Sequence, residues 1–355
     1  MRFLIITQKV DENDDILGFF HRWIEEFAKH CENVIVVCLQ KEEYDLPANV
    51  KVLSLGKEKG KSRLKYIFNF YKYIWQERKN YDAVFVHMNQ EYVLLGGLFW
   101  KFFGKKIFMW RNHGRGNIFT RIAIIFSDKV FCTSKYSYTA KFKKTEIMPV
   151  GIDTEKFFAK GGSASGEKIQ NSILSLGRIS PIKNTHVLIE ALRLLDEKGV
   201  DFIANIYGNA PKRDLEYYKK IRKFGEGLEK KRKLFFHKGI PNPKTPEIYS
   251  KHQFFINLTP EGSFDKTILE AMACRILVIY SNKFLKGKIS DILLVNQNDP
   301  INLAQKIEFL FNQKKAFFDE IGKKGEIYVI ENHSLSLLME KLMSVITKKC
   351  YRYAD

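Results

Sequence analysis

Short apolar runs of strand length recur along the chain, separated by longer stretches with helical periodicity. Phe3–Thr7, Val34–Leu39, Val50–Leu53, Ala83–His87, Ile107–Trp110 and Lys129–Thr133 read as strands of one series. Ile173–Leu176, Phe202–Tyr207, Leu234–His237, Phe254–Leu258 and Leu277–Tyr280 form a second. Such alternation predicts parallel sheets with helices on both faces. Between the two series, Lys160-Gly161-Gly162-Ser163-Ala164-Ser165-Gly166 is a stretch of small, flexible composition that marks a boundary. The expected fold class is therefore α/β, with two Rossmann-like domains at 1–165 and 166–330 facing a cleft, followed by a C-terminal segment 331–355. In that last segment Ser334–Lys349 is amphipathic, with Leu335, Leu338, Met339, Leu342, Val345 and Ile346 on one side.

One stretch breaks the ordinary pattern. After the strand ending at Leu258, Pro260–Lys266 reads as a loop and Thr267–Cys274 as an apolar helix that contains an acid, Glu270. The helix opens at the carboxyl end of a parallel strand, where open α/β sheets bind ligands and where helix N-termini favour anions. A mid-helix carboxylate flanked by Leu269, Ala271 and Met272 needs a partner, either a bound ligand or a local cation such as Arg275. Upstream, Arg178 and Lys183 flank a strand-to-helix turn in which Gly177 can take a positive φ and Pro181 stiffens the loop. Two fixed cations suit a diphosphate; the plainer alternative is a solvated basic loop.

Size and charge narrow the picture a little further. The 355 residues exceed what one hydrophobic core usually organises, and an apolar fraction of 45% with 29 Phe can fill two. The net charge of +19 favours anionic partners: nucleotide diphosphates, acidic lipid surfaces or nucleic acid. No recognised nucleic-acid module accompanies it, so nucleic acid is not expected. Five cysteines (Cys31, Cys38, Cys132, Cys274, Cys350) without C-x-x-C spacing suggest neither a disulfide framework nor a zinc site, which fits a reducing cytoplasm. The first residues, MRFLIITQKVDEN, read as a strand rather than a signal peptide, and the longest apolar run, Tyr92–Trp100, falls short of the ~20 residues that span a bilayer. A soluble or peripheral cytoplasmic protein is expected. From Lys57 to Lys79, Lys57, Lys59, Lys61, Arg63, Lys65, Lys72, Arg78 and Lys79 interleave with Tyr66, Phe68, Phe70, Tyr71, Tyr73 and Trp75. This suits either an interfacial helix on an anionic membrane or a surface helix whose aromatics pack on the sheet.

The segment TPEGSFDKTILEAMACRILVIYS, Thr259 to Ser281, together with SLGRISPIK, Ser175 to Lys183, resembles the donor-site signature of GT-B glycosyltransferases of the retaining group 4 family. Gly151-Ile152-Asp153-Thr154-Glu155-Lys156-Phe157 is similar to that family's interdomain motif, and Glu331-Asn332-His333-Ser334 to its C-terminal helix start. The resemblance implies a GT-B architecture with the last helix returning to the first domain. It implies that Arg178 and Lys183 hold the donor diphosphate and that Glu270 contacts the nucleotide ribose. Gly177, Gly262, Ser263, Phe264, Asp265, Lys266 and Thr267 would line the donor, with backbone amides of 264–266 forming a nest. Gly208 and the Gly239-Ile240-Pro241 turn would border the base, Ile240 through its backbone. His113, in Trp110-Arg111-Asn112-His113-Gly114-Arg115-Gly116, resembles the family's His loop that faces the donor sugar. Gly18 resembles its first-domain glycine, and His21 would either meet the acceptor or pack within its helix.

Two positions depart from the family pattern. Gly262 stands where a second Glu is usual, so Asp265 or Glu261 would replace that acid, and Arg275 stands where Gly is common. The implied activity is transfer of a sugar from a nucleotide-diphosphate sugar to a glycan or lipid-linked acceptor, with retention, in cell-surface glycan or lipid-linked oligosaccharide assembly. With no D-x-D motif or ligand cluster beside the donor loops, no metal and no further cofactor is expected. The alternatives are a nucleotide-sugar epimerase on the same fold and a binding protein that lost turnover with the acid at Gly262.

Overall fold

The computed structural model describes residues 1–158, 168–260 and 265–351. The small-residue boundary stretch at 160–166 and the donor-loop residues Glu261, Gly262, Ser263 and Phe264 lie outside the described residues. The chain divides into two compact units. The first holds Met1–Gly151, Pro241–Pro243 and the C-terminal residues from Leu335; the second holds Ile152–Ile240 and Lys244–Ser334.

In the first unit β1 (Arg2–Val10), α1 (Phe19–His30), β2 (Asn33–Lys41), β3 (Val50–Ser54), α2 (Arg63–Gln76), β4 (Ala83–His87), α3 (Gln90–Phe102), β5 (Lys106–Trp110), α4 (Ile118–Phe126), β6 (Lys129–Cys132) and β7 (Thr145–Ile147) follow one another. Their strands make one parallel sheet in the order β3-β2-β1-β4-β5-β6-β7. The two faces of β1 explain its unbroken apolar run. Phe3 and Ile5 join Phe20, Trp23 and Phe27 of α1 in one core, whereas Leu4 and Ile6 join Phe70, Ile74, Val93 and Trp100 in the other. A strand covered on both sides has no solvent face to keep polar.

The second unit runs β8 (Ser172–Leu176), α5 (Thr185–Glu197), β9 (Ile203–Tyr207), α6 (Leu215–Lys230), β10 (Leu234–His237), α7 (Thr245–Ser250), β11 (Phe254–Asn257), α8 (Lys266–Ala273), β12 (Leu277–Tyr280), α9 (Pro300–Phe311) and α10 (Lys315–His333). Its five strands are parallel in the order β10-β9-β8-β11-β12. The order turns back between β8 and β11, the kind of switch point beside which doubly wound sheets bind ligands.

After α10 the chain passes through an extended Ser334 into α11 (Leu335–Tyr351), so Glu331, Asn332 and His333 close one helix rather than open the last. Within the first unit, Leu335, Leu338, Met339, Leu342 and Ile346 of α11 complete the core on the α1 side. Gly151 is held by the same packing. Its φ is +75°, its carbonyl accepts from the Trp23 indole at 3.4 Å, and a Cβ there would lie 2.4 Å from Leu338.

Candidate functional site

The site is built where the loops after β8, β9 and β11 meet in the second unit. A small cavity there is lined by Gly177, Arg178, Lys183, Thr185, Asn257 and Thr259, among others. Gly177 takes φ +134°, and its N–H donates to Tyr207 O at 3.0 Å. Ile179 N donates to Asn209 O at 3.1 Å, and Gly208 N to His237 O at 3.1 Å, so the loops after β8, β9 and β10 are laced through their backbones. This spacing admits no side chain at Gly208: a Cβ would sit 1.9 Å from the Gly177 carbonyl oxygen.

Both sequence-derived cations reach this place. Arg178 is exposed and, among the described residues, has no ion-pair partner. Lys183 ends a 3-10 turn, Pro181–Lys183, which passes into α5 through Asn184 at φ +52°. Asn184 opens the helix without capping it: its side-chain amide donates instead to Leu258 O at 3.0 Å, tying the β8 loop to the end of β11.

The Lys183 ammonium forms an ion pair with Asp265. That carboxylate also accepts from Asn257 Nδ2 at 2.7 Å and Thr259 Oγ1 at 3.3 Å, and caps α8 through Thr267 N at 3.3 Å. Burial alone would push the Asp265 carboxyl up. The charge of Lys183 and these hydrogen bonds outweigh it and hold the group below its ordinary value of 3.8. Asp265 is thus spent on protein partners that sequence reading did not supply, since Lys183 lies 82 positions away and Asn257 eight.

Glu270 is buried in the second turn of α8, 3% exposed. The Tyr249 hydroxyl of α7 lies 3.5 Å from its Oε2 and 3.4 Å from Thr267 O. Burial and the Glu270 charge push the Tyr249 hydroxyl well above its ordinary pKa, so it stays a donor. At the start of the same helix, burial pushes the Lys266 ammonium down to about 8, against the opposing fields of Glu270 and Asp153. No sequence signal pointed to Tyr249, which reaches Glu270 from another helix.

Arg275 reaches a different acid from the one beside it in sequence. Its guanidinium binds Glu326 of α10, with both Nε and an Nη 2.7 Å from Oε2. Arg275 also explains why glycine suits that position, because it sits just past α8 at φ +53°, in the left-handed region. The ion pair offsets a backbone cost of about 1 kcal/mol. In a Glu326→Ala background, Arg275→Gly is therefore expected to stabilise the protein by about 1 kcal/mol in urea melts; further destabilisation would contradict this account.

A polar relay that no sequence motif marks joins β9, β10 and the residues after α7. His237 Nε2 is 2.8 Å from Asn205 Oδ1, Asn205 Nδ2 is 3.1 Å from His252 Nε2, and the Tyr207 and His237 rings stack at 4.2 Å. Burial lowers the pKa of both histidines. Gly239 N donates to the Asn209 side chain at 3.1 Å, fixing the turn that carries Ile240.

Gly18, His21 and His113 belong to the first unit. Gly18 precedes α1 where a Cβ would meet Asp14 O at 2.5 Å, so backbone packing accounts for it. His21 is buried in α1 with Nδ1 on Glu25 at 2.9 Å, while its Nε2 meets no hydrogen-bond partner among the described residues. His113 is exposed in a loop braced by Arg111, which donates to the carbonyls of His113 at 3.3 Å and Arg115 at 2.8 Å. His113 Nδ1 lies 3.0 Å from Arg115 N and 3.1 Å from Arg115 O, so the ring is held against the backbone of its own loop.

Comparison with known proteins agrees with this architecture. Residues 153–326 match the sequence profile of the family described as glycosyl transferases group 1. A protein of Methanocaldococcus jannaschii described as an uncharacterized glycosyltransferase is 26% identical over 234 residues, a match spanning 63% of this chain and 60% of that relative. Among solved structures, Anabaena HepE in complex with UDP superposes with a TM-score of 0.76 at 14% identity, over 98% of this chain and 100% of that one. A glycosyltransferase from Rickettsia africae superposes with a TM-score of 0.76 at 18% identity, over 99% of each chain. Two parallel Rossmann-like sheets of this topology define the GT-B fold of glycosyltransferases. The family match covers most of the second unit, so residues 153–326 form a glycosyl transferases group 1 domain.

Proposed function

We propose that the protein is a retaining, metal-independent glycosyltransferase that moves a sugar from a nucleotide-diphosphate sugar onto a glycan or lipid-linked acceptor in the cytoplasm. The observation that carries this reading is the convergence of Arg178 and Lys183 on the cavity at the ends of β8 and β11, directly before the helix that buries Glu270. The UDP found with HepE supports a nucleotide donor. Breaking the glycosidic bond to the diphosphate leaves charge on the leaving oxygens, and the two cations are placed to compensate it. Glu270, held beside the Tyr249 hydroxyl, fits the ribose hydroxyls and anchors the donor. With no second acid ready at Gly262 and with Asp265 already committed to Lys183, the departing phosphate is the base that takes the acceptor proton, on the front face of the sugar.

Two outcomes are expected of a product analysis. Anomeric NMR shows retained configuration, and turnover survives excess chelator because cations of the chain take the place of a metal. An inverted product would contradict the front-face route, and loss of turnover restored by magnesium or manganese would contradict the metal-free one.

A further inference from the structure

We propose that the outward sides of α2, α3 and α4 form one surface that seats the protein on an anionic lipid bilayer. The three helices cover the same face of the seven-stranded sheet, where Phe70 and Ile74, Val93 and Trp100, and Ala123 and Ile124 share a core with Leu4, Ile6 and Val84. They also touch each other. The Tyr71 hydroxyl donates to Leu95 O at 2.9 Å, Trp75 meets Phe103 edge-on at 5.9 Å, and Gly97 lets Phe126 of α4 come so near that a Cβ would lie 2.8 Å from its ring.

The core is filled without the residues that point away from it. Leu64 is 79% exposed, Phe68 60%, Trp75 52%, Leu98 71%, Phe102 83% and Ile125 69%. Large side chains gathered this way on adjoining helices exceed the scattered apolar exposure normal for a surface. The apolar and aromatic residues of α2 thus divide: Tyr66, Phe70 and Tyr73 pack on the sheet side, while Leu64, Phe68 and Trp75 face out.

Charge selects the occupant. The three helices carry Arg63, Lys65, Lys72, Lys101 and Arg121 against one acid, Glu91. Lys65 lies 4.9 Å from the Phe68 ring centroid and Arg78 4.2 Å from that of Trp75, so cations flank the exposed rings. Two copies meeting through this face would bring like charges together, whereas a bilayer offers phosphates to the cations and an acyl boundary to the rings. Among the described residues no helix is long and apolar enough to cross a membrane. The contact is therefore along the surface, and it stands independently of the donor-site reading.

Vesicle cosedimentation tests this, with the wild type, a Leu98→Ser/Phe102→Ser variant and an Arg63→Gln/Lys65→Gln/Lys72→Gln variant. All altered side chains are exposed, so thermal midpoints should stay at the wild-type value. The wild type is expected to bind phosphatidylcholine vesicles containing about a third phosphatidylglycerol at least about tenfold more tightly than pure phosphatidylcholine, and each variant to lose about tenfold. Equal partitioning of the wild type to both vesicles, or undiminished binding by either variant, would overturn the proposal. So would a lipid-free dimer that Leu98→Ser/Phe102→Ser disperses, the signature of a protein–protein face.

Discussion

Lys183→Ala is expected to lower turnover by roughly two orders of magnitude, the loss of about 3 kcal/mol that follows removal of one charge-stabilising donor from a reacting oxyanion. Arg178→Ala should behave likewise, but the two substitutions differ in stability. Arg178 is exposed and unpaired among the described residues, so its loss should leave the fold untouched. Lys183→Ala strands the Asp265 carboxylate, whose side chain is only 10% exposed, at a cost of about 3 kcal/mol. The double variant Lys183→Ala/Asp265→Asn should recover most of that stability and none of the turnover, which separates structural from catalytic roles. The sign with pH follows from the lowered Asp265 pKa: the ion pair stabilises the fold above the unfolded carboxyl value of about 3.8 and is lost as pH falls through the lower folded value. Near-normal turnover in both single variants would remove this pair of residues from the site.

Gly208→Ala is expected to destabilise the protein by about 3 kcal/mol and to weaken donor binding with it. The new methyl would collide with the Gly177 carbonyl oxygen, a backbone atom that cannot turn aside, and the loop that would move carries Arg178. Gly227→Ala in α6 is the control. Nothing lies within 4 Å of the Cβ it would gain, and Ala suits a helix interior better than Gly by about 1 kcal/mol, so it should raise the urea midpoint. A Gly208→Ala protein as stable as wild type would contradict the close approach of the two loops.

Much of this arrangement can be read from the chain. The strands of both sheets announce themselves as apolar runs because helices cover both faces, as at Phe3 to Ile6. By contrast β7, Thr145-Glu146-Ile147, lies at the sheet edge, is three residues long and carries a charge, so it leaves no apolar signature. Helix α10 is hidden too: its buried positions include Gly322, which packs against Arg275, and Gly325, residues that read as breaks. Arg178, Lys183 and Glu270 stand out through local motifs. Their partners do not, because Asp265 with Lys183, Tyr249 with Glu270 and Glu326 with Arg275 are brought together only by tertiary packing. The two helical faces of α2 illustrate the same limit. Periodicity marks the helix, but only its neighbours show which aromatics the sheet uses and which are left outside.

The Arg178–Lys183 cavity is expected to bind the donor diphosphate. Calorimetric titration with a panel of nucleoside diphosphates (UDP, GDP, ADP, CDP and dTDP) checks this, comparing wild type with Arg178→Ala/Lys183→Ala/Asp265→Asn, in which the acid is neutralised together with its cation. At least one nucleotide should bind the wild type, and the variant, still folded, should lose about a hundredfold or more in affinity. Undiminished nucleotide binding by that variant would contradict it.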